Sequence, residues 1–196
     1  MKTVKDMMLP IEECATVSRE MTVCEAIQVL GGAQEKQRAQ DGACKHRALL
    51  VVDKDNRVLG KLSHLDIVMN MEPKYRSQKS SEAIAHIFAA GLSSALLKSM
   101  MQRYSFWDEP FERRCQKALR AKVEDCMHTP GKNEYVHESD LLEVAVHQLV
   151  MGHHQSLLVT DGDWVVGILT LADVLEGICR GPGTGPGGCT GRKDDW

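Results

Sequence analysis

The chain has 196 residues, 43% hydrophobic and 26% charged, with a formal net charge of −3. That apolar supply can build a core and excludes disorder throughout, and the mild acidic balance argues against a chain-wide electrostatic grip on nucleic acid. No apolar run reaches the ~20 residues of a membrane helix, and Met1 to Asp6 lacks a secretory signal, so the expectation is a soluble cytoplasmic protein with no membrane attachment.

Aromatic residues make up only 5%, so the core must be aliphatic. Cys14, Cys24, Cys44, Cys115, Cys126, Cys179 and Cys189 are scattered with no Cys-x-x-Cys pair, which fits reduced thiols better than a disulfide framework. No histidine or cysteine spacing gives the paired ligands of structural zinc. Nor is there a nucleophile elbow, Walker loop or kinase set. No metal, no catalytic residue and no enzyme activity are expected.

The chain opens on Val4-Lys5-Asp6-Met7-Met8, followed by a short extended segment at Ala15 to Val17. Val23, Ile27 and Leu30 then recur at helical spacing, before Gly31-Gly32 and a charged stretch from Gln34 to Cys44. Ala48 to Val52 is a short apolar run bounded by Asp53-Lys54-Asp55-Asn56, and Val58 to Leu62 follows closely, so the pair reads as a hairpin. A second helix starts at Ser63, with Leu65, Val68 and Met69 on its apolar side.

Residues 72–122 carry ten Lys or Arg against five acids, a net of +5, which leaves −8 for the remainder. Ser81 is a candidate N-cap for a helix to about Tyr104, with Ile84, Ile87, Phe88, Gly91, Leu92, Ala95, Leu96 and Met100 in its apolar stripe. Phe106, Trp107 and Phe111 around Pro110 suggest an anchored turn, and Arg113 to Lys122 is the one basic run. That run reads as a solvated face pairing with acidic modules, or as a surface for an acidic partner or nucleic acid.

From Val123 the chain repeats itself. Val123-Glu124-Asp125-Cys126-Met127 stands 119 positions after Val4 to Met8, and the same offset places Val17 on Val136, Ala26 on Ala145 and Leu30 on Leu149. His154 to Asp161 matches His46 to Asp53, and Gly167-Ile168-Leu169-Thr170-Leu171-Ala172-Asp173 matches Gly60-Lys61-Leu62-Ser63-His64-Leu65-Asp66. The first copy holds 12 extra residues, most of them between Gln34 and Cys44. The second helix of the second copy carries Leu171, Val174, Leu175 and Ile178 on its apolar side. Repeats fix architecture: here an α/β (α+β) fold of two β-α-β-β-α modules related by pseudo-twofold symmetry, with a helical insertion between them. The division is 1–71, first module; 72–122, basic helical connector; 123–180, second module; 181–196, a flexible tail with six Gly and two Pro between Gly181 and Gly191.

The leading Val-x-Asp-x-Met motif, the apolar strand before an Asp turn, and the Gly-x-x-Ser/Thr-x-x-Asp motif, each present twice in order, resemble the cystathionine-β-synthase (CBS) domain. Two such copies resemble the regulatory pair called a Bateman module, over Val4 to about Met71 and Val123 to about Cys179. Read from the residues alone, Ser63 and Thr170 suit helix N-caps, and the acid three positions on suits the positive helix end. The same geometry also suits a phosphate at the helix start and a carboxylate accepting ribose hydroxyls. The resemblance implies that Asp66 and Asp173 hold ribose while Ser63 and Thr170 contact phosphate of an adenine nucleotide.

It further implies adenine and phosphate contacts from Val17, Val136, Ala48 and Ser156, and from His46, Arg47 and His154 at the strand starts. Lys61 and His64 depart from the apolar pattern of the second copy; they favour a polyphosphate or fill the first site, which makes the second site the more typical. The reading is a stand-alone regulatory protein binding an adenine nucleotide (AMP, ADP, ATP or S-adenosylmethionine) between its modules, with no other cofactor. It would form a homodimer and signal cellular energy state to a regulated protein partner. The alternatives are a ligand-independent dimerisation scaffold, in which the motifs serve only as caps, or nucleic-acid or acidic-partner binding through the insertion.

Overall fold

The structure, a computed structural model, describes residues 2–41, 48–72, 94–103, 105 and 108–179. In its first half the elements are β1 (Leu9–Pro10), β2 (Thr16–Ser18), α1 (Val23–Asp41), β3 (Ala48–Val52), β4 (Val58–Ser63) and α2 (His64–Asn70). The connector contributes α3 (Ser94–Arg103) and α4 (Phe111–Arg120). The second half holds α5 (Val123–Cys126), β5 (Tyr135–His137), α6 (Leu142–Met151), β6 (Ser156–Asp161), β7 (Trp164–Thr170) and α7 (Leu171–Cys179).

Two sheets result, with strand orders β2-β3-β4 and β1-β7-β6-β5. In each, a short strand runs parallel to the middle strand, with Val17 opposite Val51 and Val136 opposite Val159. The middle strand then forms the expected antiparallel hairpin, and both hairpins shift register at the same place, after Val51 and after Val159. The centres of the middle strands, Leu49 to Val51 and Leu157 to Val159, are apolar because both of their faces are covered. Leu49 and Val51 point into one core with Val17, Val23, Ala26, Leu30 and Leu62. Leu157 and Val159 point into a second with Val136, Ala145, Leu149, Leu169 and Val174. The residues between them, Leu50 and Leu158, meet across the modules with Leu9 and Ile168.

The repeat offset returns as a symmetry of hydrogen bonds, and in an exchanged form. The leading arm of each copy packs on the other module. Val4 N–H donates to Asp140 O at 2.9 Å and Lys5 N–H to Glu138 O at 3.0 Å, while Val123 N–H donates to Met21 O at 2.8 Å and Glu124 N–H to Arg19 O at 3.0 Å. Val4 is buried in the second core, and Val123 and Cys126 in the first. Farther along, Leu9–Pro10 adds a strand to β7, and Lys61 bridges His128. These crossings explain the motif glycines: a Cβ on Gly60 would stand 2.5 Å from His128 O, and one on Gly167 2.5 Å from Leu9 O.

Helix α1 does not stop at Gly31-Gly32 but runs on to Asp41, so part of the extra length of the first copy is continued helix. Both glycines face open space, and the ~1 kcal/mol a helical glycine costs is too little to end a helix that is anchored by buried Val23, Ala26 and Leu30. In the connector, α3 lies within the expected helix, with Ala95 and Leu96 exposed; residues 81–93 of that expectation, Phe106, Trp107 and the tail from residue 181 lie outside the described residues. Phe111 is 58% exposed at the start of α4. The basic run is not simply solvated. Arg114 is buried, and its Nη1 pairs with Glu72 Oε2 at 2.6 Å and donates to Met71 O at 3.3 Å, which ties α4 to the end of the first module.

Candidate functional site

The two hairpins end side by side, so that the starts of α2 and α7 open onto one cleft between the modules. Both starts are capping boxes. Ser63 N–H and Oγ donate to Asp66 Oδ2 at 2.8 and 2.6 Å, and Asp66 N–H returns a bond to Ser63 Oγ at 3.3 Å. Thr170 N–H and Oγ1 donate to Asp173 Oδ2 at 2.8 and 2.7 Å, and Asp173 N–H donates to Thr170 Oγ1 at 3.2 Å. Both bonds that Asp66 accepts fall on Oδ2, and a carboxylate has acceptor capacity on each oxygen.

The cleft has a volume of about 440 Å³ and is lined by Ala48, Lys61, Ser63, Leu65 and Asp66 from the first module, with His128, Glu134, His153 to Ser156 and Thr170 to Ala172 from the second. His153 takes a left-handed backbone, φ 51°, in the turn that leads from α6 into β6. Of the residues singled out from the sequence, Ser63, Asp66, Thr170, Ala48, Lys61, His154 and Ser156 come together here. Val17 and Val136 do not line the cleft: their side chains are 3% and 4% exposed, in the two cores. His64 is exposed and turned elsewhere, and His46 and Arg47 lie outside the described residues. Asp173 lines a separate concavity of about 400 Å³ with Asp6, Glu13, Glu176 and Lys2. Four carboxylates against one ammonium make that second place poor ground for a phosphate.

The floor of the central cleft is a buried ion network. Lys61 Nζ donates to Ser156 O at 2.9 Å and Ser156 Oγ at 3.2 Å, and pairs with Glu134 Oε2 at 2.8 Å. Glu134 Oε1 in turn accepts from Gly131 N–H at 3.0 Å and lies 2.7 Å from His128 Nε2. Burial by itself would push the Glu134 carboxyl up, but the bonds from Lys61, Gly131 and His128 and the nearby ammonium together hold it at about 2. His128 is tied to Lys61 a second time, since their backbones exchange N–H···O bonds of 3.0 and 2.8 Å.

Glu134 and His128 were not singled out from the sequence. The repeat carried a signal that could have found Glu134. Lys61 stands where the second copy has Ile168, and Glu134 stands where the first has Ala15, so opposite charges replace apolar residues once in each copy.

Two repeated α/β modules with exchanged arms and a shared cleft define a tandem-module protein. A family model for the CBS domain matches residues 4–72 and 123–180, so the chain belongs to the CBS domain family as a tandem pair. No curated protein matches it. Solved structures that share the fold include CBSX2 in complex with AMP, at 22% identity and a TM-score of 0.54, covering 91% of this chain and 96% of that one. The CBS-pair protein CBSX2 from Arabidopsis thaliana matches at 21% identity and a TM-score of 0.55, covering 90% and 93%. A CBS domain-containing protein of unknown function from Bacillus anthracis str. Ames Ancestor matches at 18% and 0.56, covering 91% and 93%. Among the described residues no helix is long and apolar enough to cross a membrane, and no cluster of His, Cys, Asp or Glu could hold a metal ion.

Proposed function

We propose that this chain is a non-catalytic, cytoplasmic regulatory protein that binds an adenine nucleotide in the cleft between its modules. The observation that carries the reading is the convergence of Ser63, Asp66 and Thr170 with the His153-His154 turn on one cleft lined from both modules. A volume of about 440 Å³ lies within the usual range of small-molecule sites. The complex of AMP with CBSX2, a protein of the same fold, supports this choice of ligand. In this assignment Asp66 accepts the ribose hydroxyls, Ser63 and Thr170 face the phosphate, Ala48 and Ser156 border the base, and His154 assists at the phosphate. Asp173 marks a pseudo-symmetric second place, disfavoured by its acidic neighbours.

A ligand that touches both modules favours the one arrangement in which both sets of contacts are made, and a protein partner would read that arrangement. Leu65 and Val68 on α2, with Leu171, Leu175 and Ile178 on α7, are 41% to 66% exposed, an apolar surface that supports assembly with a second copy. Thermal unfolding of the purified chain against a panel of AMP, ADP, ATP and S-adenosylmethionine tests the reading. A ligand that binds only the native state must raise the transition temperature. The reading expects at least one of the four to do so, and no shift with any of them at millimolar concentration overturns it.

A further inference from the structure

The Lys61–Glu134 pair is a poor device for stability alone. At the positions equivalent by the repeat stand two apolar residues, Ile168, which packs with Leu9, Leu50 and Leu158, in place of Lys61, and Ala15 in place of Glu134. Replacing a buried ion pair by apolar groups is often neutral or stabilising. The pair also lines the cleft that the proposed nucleotide would enter. Lys61 is the one lysine or arginine lining that cleft among the described residues.

An ammonium has three N–H donors, and the three of Lys61 are matched by three acceptors: Ser156 O, Ser156 Oγ and Glu134 Oε2. Its charge is neutralised by the same Glu134, which is itself held from the far side by Gly131 N–H and His128. With Asp66 alongside, the described wall then presents no uncommitted cation to an incoming chain of phosphates.

We propose that Glu134 sets which ligands the cleft accepts: by holding Lys61 it makes the cleft take a nucleoside or nucleoside monophosphate and turn away the di- and triphosphate. The inference rests on the adenine-nucleotide reading for the identity of the ligand, but not for the behaviour of the lysine. Removing the negative charge at position 134 while keeping its shape releases the ammonium to a polyanion, and a charge-assisted bond in a partly enclosed site strengthens binding by about tenfold or more.

The test uses the full chain and inorganic tripolyphosphate, which carries no adenine. Calorimetric titration is run on the wild type, Glu134→Gln and the double variant Lys61→Met with Glu134→Gln. The expected result is binding about tenfold or more tighter in Glu134→Gln than in the wild type, and loss of that gain in the double variant. Equal binding in wild type and Glu134→Gln overturns the proposal, as does a double variant that holds the anion as tightly as Glu134→Gln.

The wild type provides a check that does not depend on the variants folding. It should bind tripolyphosphate no more than a few-fold tighter than orthophosphate, and a preference of about tenfold or more overturns the proposal. The nucleotide reading fails separately, if none of the adenine ligands shifts the wild-type unfolding temperature.

Discussion

Glu134→Gln should remove a specific piece of the acid sensitivity of folding. The folded carboxyl sits at about 2 against an ordinary 4.5, so it is the stronger acid in the native state. Its stabilisation is therefore whole above about pH 4.5 and is lost as pH falls through that value toward 2. The full gap corresponds to about 3 kcal/mol at 1.36 kcal/mol per tenfold change in proton affinity. About 2 kcal/mol of it should disappear between pH 5 and pH 3, the rest lower still. The group is nearly buried, with 7% side-chain exposure, so solvent screening takes little from that figure. Glutamine keeps the one acceptor oxygen for Gly131 N–H, turns an NH2 donor toward Lys61 in place of Oε2, and does not titrate. Urea unfolding of both proteins at pH 5, 4 and 3 reads the difference directly, since other carboxylates act equally in each. The stability gap between wild type and variant should narrow by about 2 kcal/mol over that range. A gap that stays constant refutes the buried network.

Four further outcomes follow from the packing. Gly31→Ala and Gly32→Ala should each stabilise by about 0.5–1 kcal/mol in urea unfolding, because both lie inside α1 with open space where a Cβ would go. Gly167→Ala should instead destabilise by more than that gain, since its Cβ would meet the backbone of the exchanged arm. Val4→Ala removes two fully buried methyl groups and should cost about 2 kcal/mol. Hydrogen exchange should place that loss at Leu157 and Val159 in the second module, not at Leu49 and Val51. Arg114→Ala leaves buried Glu72 without its guanidinium and should cost about 3 kcal/mol or more, read by thermal unfolding.

Most of the fold was legible in the sequence because the chain states it twice. The strands at Ala48–Val52 and Val58–Ser63 fall where apolar runs and turn residues place them. The exchange of the leading arms was not legible. Val4 and Val123 each look like the start of their own copy, and identical local patterns cannot say which of two equivalent cores receives which arm. The run of α1 past two glycines was missed because a local helix-breaking signal lost to tertiary anchoring. At the site, Ser63, Asp66 and Thr170 were legible through their cap spacing, which is local. Glu134 was not, because its meaning depends on a lysine 73 positions away in the other copy. Arg114 was hidden in a run of basic residues of which only it is buried and paired with Glu72.

The central claim, an adenine nucleotide held in the inter-module cleft, is tested most directly by calorimetric titration of AMP into the wild-type chain and into Asp66→Ala. The account predicts saturable binding to the wild type and affinity lower by about tenfold or more in Asp66→Ala, since the carboxylate that accepts the ribose hydroxyls is gone. Equal affinity in the two proteins would contradict it.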